Sequence, residues 1–216
     1  MDVDEEWRSW CDLFDELHSS ILDLFHSRRV WQTIRATVEA RPDVERSGII
    51  EHWLTRCYST SQMTAIRRQL DKDRRAASLW RCLDLLGKRP GMATRGWFAE
   101  QLENRGAGSR VTEFDRFADL GQDHVSRRLV TKDAERLVTA GDTAKTIVNK
   151  VVAHHEYRPD VVPPEVTWGE FDNAIEVVGD LYKKYWGLRH PGRGLSNLVP
   201  GLPSGWDRVL GAGDDR

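Results

Sequence analysis

His154 closes a short run of residue types that could move protons and hold negative charge. The stretch 144–160 reads Ala-Lys-Thr-Ile-Val-Asn-Lys-Val-Val-Ala-His-His-Glu-Tyr-Arg-Pro-Asp and gathers Asn149, Lys150, His154, Tyr157 and Arg158. An imidazole with an ordinary pKa near 6.5 exchanges a proton at neutral pH. An ammonium or guanidinium beside it offers charge to an anion. Lys150, His154 and Arg158 recur every four residues, which stacks them along one helix edge. Ala144, Ile147, Val148, Val151 and Val152 form the adjoining apolar side. Pro159 disfavours helical geometry at Arg158, so the helix is expected to end there. His155 falls toward the apolar side and reads as structural. For the other polar residues, spacing alone leaves chemistry and a merely packed or solvated side chain both open.

Arginine forms the second concentration. Arg67-Arg68 and Arg74-Arg75 flank Asp71-Lys72-Asp73. A guanidinium fork suits phosphate oxygens. The same arginines could instead pair with Asp71, Asp73 and Asp84 on exposed helix faces, at only ~0.2–0.5 kcal/mol per pair. Residues 28–95 carry fifteen bases against seven acids, whereas residues 1–26 carry eight acids and one base, Arg8. A basic middle either attracts a polyanion such as RNA or solvates helix exteriors.

The elements that must position these groups read as helices. Trp7, Trp10, Phe14, Leu17, Ile21, Leu24, Trp31, Ile34 and Val38 recur at steps of three and four, predicting one helix or two in line up to Arg41-Pro42, with Arg28 interrupting the stripe. Asp43 and Ser47 offer capping oxygens to a second helix near 47–71. Its buried candidates are Ile49, Ile50, Trp53, Leu54, Cys57, Ile66 and Leu70, and 58–61 is its weak point. Ser78 precedes a third apolar run. The glycine-punctuated stretch 87–121 holds two short amphipathic segments and reads as an irregular insertion. A long helix is expected from Thr131, with Asp133 and Glu135 in its first turn. Val161-Val-Pro-Pro164 is a rigid link, and Thr167 with Glu170 has the spacing of a capping box.

The expectation is therefore an all-α helical bundle: one domain over 1–190 with the insertion at 87–121, and a Gly/Pro-rich, flexible tail over 191–216. A chain of 216 residues with nine tryptophans and 39% hydrophobic residues can bury a sizeable core. Cys11, Cys57 and Cys82 lack metal-ligand spacing, and no phosphate-loop glycine pattern occurs, so no metal or cofactor is expected. No apolar run approaches the ~20 residues of a membrane span. A reduced, cytoplasmic setting away from membranes is the expectation that follows.

Asn149-Lys-Val-Val-Ala-His154 within a late helix of an all-helical chain resembles the signature of the HEPN superfamily (higher eukaryotes and prokaryotes nucleotide-binding). The block 61–80, Ser-Gln-Met-Thr-Ala-Ile-Arg-Arg-Gln-Leu-Asp-Lys-Asp-Arg-Arg-Ala-Ala-Ser-Leu-Trp, and the closing Leu181-Tyr-Lys-Lys-Tyr185 resemble the abortive-infection proteins of the AbiU type. The likeness covers roughly 31–186. It implies a bundle that forms a homodimer around a shared cleft and cleaves RNA without a metal. It further implies a toxin or phage-defence role, in which an antitoxin or other regulator is a possible partner. His154 would be the acid/base group and Asn149 the polar residue of the motif, with Lys150 supplying charge. Arg67, Arg68, Arg74, Arg75, Tyr157 and Arg158 would contact RNA. The arginine expected just before Asn149 is Val148 here. The alternative is a degenerate domain that binds RNA or a protein without cleaving.

Overall fold

A computed structural model describes residues 3–40, 48–148, 167–195 and 198. Among them the architecture is all-α: α1 (Val3–Glu39), α2 (Gly48–Gln69), α3 (Leu79–Lys88), α4 (Arg95–Glu103), α5 (Arg127–Ile147) and α6 (Trp168–Arg189). Two 3-10 segments, Pro90–Met92 and Gly108–Arg116, join them. The only extended pairing among the described residues is an isolated bridge between Thr94 and His124.

α1 is one unbroken helix. Its stripe from Trp10 to Phe25 is buried, and beyond Arg28 the same stripe is only half covered. Arg28 interrupts the stripe because it is used as an ion-pair donor: it reaches Asp172 of α6 at 3.0 Å and pairs with Glu176 one turn on. α2 runs through 58–61 without dividing. Ser59 Oγ donates back to the Arg56 carbonyl and Thr64 Oγ1 to that of Thr60, so the hydroxyls bond within the helix instead of opening it. α1 and α5 each pack on α2, α3 and α6.

Capping residues set the helix starts. Ser78 accepts from Arg81 N, and Thr94 from Trp97 N. Thr167 and Glu170 complete a reciprocal capping box. α5 begins at Arg127 rather than Thr131, because Ser126 accepts the Leu129 N–H and is itself held by Asp119. This moves Asp133 out of the first turn. It accepts instead from Lys184 Nζ at 2.6 Å and Tyr185 Oη at 2.8 Å, tying α5 to α6.

Two buried candidates on α2 lie outside. Trp53 is 62% exposed and Cys57 is also exposed, whereas Met63, Ile66 and Leu70 are buried. Trp53 and Cys57 share their helical phase with Ser61, Thr64 and Arg68, about half a turn from the core-facing residues. The stretch 87–121 joins the core: Phe98, Phe114 and Phe117 are buried together, and Phe117 reaches Tyr185 with ring centres 6.0 Å apart. Leu198 is buried beside Gly179 of α6. No helix among the described residues is long and apolar enough to cross a membrane.

Candidate nucleic-acid interface

The arginine block occupies the last turn of α2 and the loop leading to α3. Arg67 and Arg68 stand where the exposed carbonyls of α2 favour positive charge. The loop is shaped by two successive aspartate turns: Asp71 Oδ1 accepts Asp73 N, and Asp73 Oδ1 accepts Arg75 N, each at 2.9 Å. Ser78 Oγ then donates to the Asp71 carbonyl at 2.6 Å. Short polar side chains thus hold the loop in one shape before the helix begins.

The four arginines are not equivalent. Arg75 grips Asp73 with both ends of its fork, Nε at 3.2 Å and a terminal nitrogen at 3.1 Å. Those bonds, side chain first and then backbone, hold the Asp73 carboxyl below its usual range. Arg67 approaches Asp71 loosely, at 3.9 Å. Arg68 and Arg74 are exposed and have no ion-pair partner among the described residues. Asp84 is taken by Lys88 at 2.7 Å and not by an arginine. Beside the loop, Lys72 Nζ sits 4.8 Å from the centre of the Trp80 ring. Trp80 walls a groove of about 420 Å³ between α3 and α5, which Arg127 and Thr131 also line.

α5, whose sequence leads into the histidine motif, is described as far as Val148. Ala144, Ile147 and Val148 are buried, as the spacing requires, and Val148 is only 5% exposed. Asn149, Lys150, His154, Tyr157 and Arg158 lie outside the described residues, as do Val151, Val152, Asp43, Ser47 and the link at 161–164.

A further set of ionisable groups, unseen in the sequence, joins α1 to α6. His18 Nδ1 and Tyr182 Oη are hydrogen bonded at 2.8 Å, and Trp186 lies against both His18 and His190. Asp15 accepts from Arg189 at 2.8 Å, with His190 3.9 Å away. Burial lowers the His190 pKa to about 4, Arg189 adds to the effect and Asp15 opposes it. At neutral pH that imidazole is uncharged. Burial also raises the Cys11 thiol to about 12 and pushes the Tyr182 phenol upward. Neither is a nucleophile near pH 7, so the set serves to pin the two helices. Its members come from opposite ends of the chain, and no local spacing connects them. Among the described residues no group of three or more His, Cys, Asp or Glu is placed to hold a metal ion.

Comparison with protein-family models, curated proteins and solved structures returned no match.

Proposed function

We propose that this chain is an RNA-binding, metal-independent endoribonuclease of HEPN type, working as a homodimer in a toxin or phage-defence role. The observation that carries the reading is the last turn of α2 and the pinned loop after it, which present Arg68 and Arg74, respectively, with unoccupied guanidinium forks. The all-α fold agrees with the likeness. So does the buried apolar face of α5, from which the Asn149–His154 motif continues in sequence.

In the proposed reaction His154 takes the proton of a ribose 2′-hydroxyl. The oxygen attacks the adjacent phosphorus, the bond to the 5′-oxygen breaks, and that oxygen takes up a proton. The products are a 2′,3′-cyclic phosphate and a free 5′-hydroxyl. Lys150 offers charge to the phosphate as it becomes more negative, and Asn149 offers hydrogen bonds. Tyr157 and Arg158 stand near enough in sequence to hold the flanking chain.

One observation favours a second reading, a degenerate domain that binds RNA or a protein without cleavage. The position of the family arginine is Val148, and that side chain is buried in the core. An assay for cleavage of labelled RNA in chelator separates the two. The first reading requires that wild type cleaves and that His154→Ala loses about a hundredfold or more. RNA binding with no cleavage above the His154→Ala level would establish the second. An antitoxin or other regulatory protein belongs to the first reading as its partner.

A further inference from the structure

The groove between α3 and α5 is built from residues that recur every four positions along each helix, so each set is one stripe. Leu83 and Gly87 of α3 and Val130, Ala134 and Val138 of α5 form an apolar floor. Trp80 and Asp84 rise on one side of it, and Arg127, Thr131, Glu135 and Thr139 on the other. Gly87 lets the helices approach closely: a Cβ there would already stand 3.5 Å from Val130 Cγ1. Gly87 is near the end of α3 and Val130 near the start of α5, so the two helices are antiparallel along the groove. Trp80 lies seven residues before Gly87, about 10 Å along the helix.

Trp80 differs from most tryptophans of this chain. Trp7, Trp10, Trp31 and Trp186 each pack against another aromatic ring. Trp80 is half-buried and meets no other ring among the described residues. What it meets is Lys72 Nζ, 4.8 Å from the ring centre, and Lys72 lines the same groove. A cation on a part-exposed indole is a weak contact, which a second flat ring can replace.

The charges are placed at the two ends of the floor. Lys88 is engaged by Asp84 at 2.7 Å. Lys72, beside Trp80, and Arg127, one turn before Val130, have no ion-pair partner among the described residues. Thr131, Glu135 and Thr139 supply donors and acceptors between them. An apolar protein segment would cover the floor and leave both cations unmatched. A nucleotide strand satisfies floor and ends together, with a base on the indole and phosphates at the cations. The volume, about 420 Å³, falls in the ~300–1,000 Å³ range of ordinary ligand pockets. The groove also continues the arginine loop, since Lys72 belongs to both.

We propose that the α3–α5 groove takes an unpaired base of single-stranded RNA, stacked on Trp80 in place of Lys72, with Lys72 and Arg127 on the flanking phosphates. This rests on the RNA-binding reading above and adds the strand type to it, because bases paired in a duplex offer no free face to the ring. Stacking of this kind tolerates any sequence, since every base has a flat face.

The test uses a 5′-labelled 2′-O-methyl dodecamer of mixed sequence, which lacks the attacking hydroxyl, alone and annealed to its complement. Binding to the full chain is read by fluorescence anisotropy across a salt series, and thermal melting checks the fold of each variant. Trp80→Leu should weaken binding of the single strand about tenfold, the contribution of one stacked base, and leave the duplex unchanged. Trp80→Phe keeps a ring and should stay within about threefold of wild type. Neither should alter the salt slope, since no phosphate contact is removed. Ala134→Leu fills the floor with a good helix former. It should reproduce the loss, and it decides the matter if Trp80→Leu does not fold. Single-strand affinity unchanged by Trp80→Leu and Ala134→Leu would overturn the base site and leave RNA binding standing. So would an equal loss on single strand and duplex. Sedimentation of the same proteins tests the other occupant. A wild-type dimer that Trp80→Leu converts to a monomer would give the groove to a second copy of the chain and overturn the proposal. Binding of neither strand nor duplex to wild type would overturn RNA binding itself, and the base site with it.

Discussion

Gln69 Oε1 accepts the backbone N–H of Leu79 at 3.3 Å, so a side chain at the end of α2 closes the first turn of α3. The loop carrying Arg74 and Arg75 is therefore anchored at both ends and by its own aspartate turns. Its charges are held in place before any ligand arrives, which reduces the ordering cost of binding.

Gln69→Leu should leave the Leu79 N–H buried without a partner. The expected loss is about 1–3 kcal/mol, measured by urea denaturation. Amide exchange in the first turn of α3 should accelerate. Unchanged stability and exchange would show that the loop is held by the Asp71–Ser78 contacts alone.

The arginines should separate in RNA binding. Arg68→Gln and Arg74→Gln remove open forks, and each should flatten the dependence of log affinity on log salt by about one counterion. Arg75→Gln should do less, since its fork is occupied by Asp73. Asp73→Asn should strengthen binding by removing that competitor. Equal effects from all three arginines would mean that only net charge matters.

Val148→Arg sets two effects against each other. A guanidinium at the family position could hold the phosphate, yet Val148 is 5% exposed and packed in the core. The expected outcome is a destabilisation of about 3–5 kcal/mol, the size typical of an uncompensated buried charge. Thermal melting measures it. A variant that stays folded and cleaves RNA above wild type, with the gain abolished by His154→Ala, would instead mark an arginine-deficient nuclease centre.

Gly179→Ala probes the seam between α1, α6 and Leu198. A Cβ there would lie 2.4 Å from Phe25 Cζ and 3.3 Å from Leu198 Cδ1. The Phe25 ring is buried and has little room to move, so overpacking should cost about 1–3 kcal/mol in chemical denaturation. An unaffected midpoint would show that the ring shifts freely.

Stability should fall as pH drops below neutrality, in part through His190. Its folded pKa, about 4, lies below the ordinary 6.5, chiefly through burial, with Arg189, Arg105 and Arg193 adding and Asp15 opposing. The unfolded chain takes up this proton first. The contribution is complete above the unfolded value and drains away as pH falls toward the folded one. Melting at about pH 7 and about pH 4.5 should show a smaller loss for His190→Gln than for wild type. Identical losses would assign the slope to carboxylates.

Much of the fold can be read locally. Thr167 and Glu170 form the capping box their spacing indicated, Ser78 caps the apolar run it precedes, and the buried stripe from Trp10 to Leu24 follows its three-and-four recurrence. A cap or an apolar stripe is a relation within one or two turns, so the chain writes it in consecutive residues. Phase is different. Trp53 and Cys57 satisfy helical spacing as well as Ile66 and Leu70 do, and only packing against α1 and α5 decides which phase is inward. The early start of α5 depends on Asp119 holding Ser126, and Asp133 serves α6 rather than its own first turn. The candidate sites divide in the same way. The sequence alone singled out the arginine block and the Asn149–His154 motif, the latter outside the described residues. The tertiary structure sorted the arginines into open and engaged. It also brought Trp80 and Arg127 to one groove, because helices adjacent in space bring together side chains that no sequence interval relates.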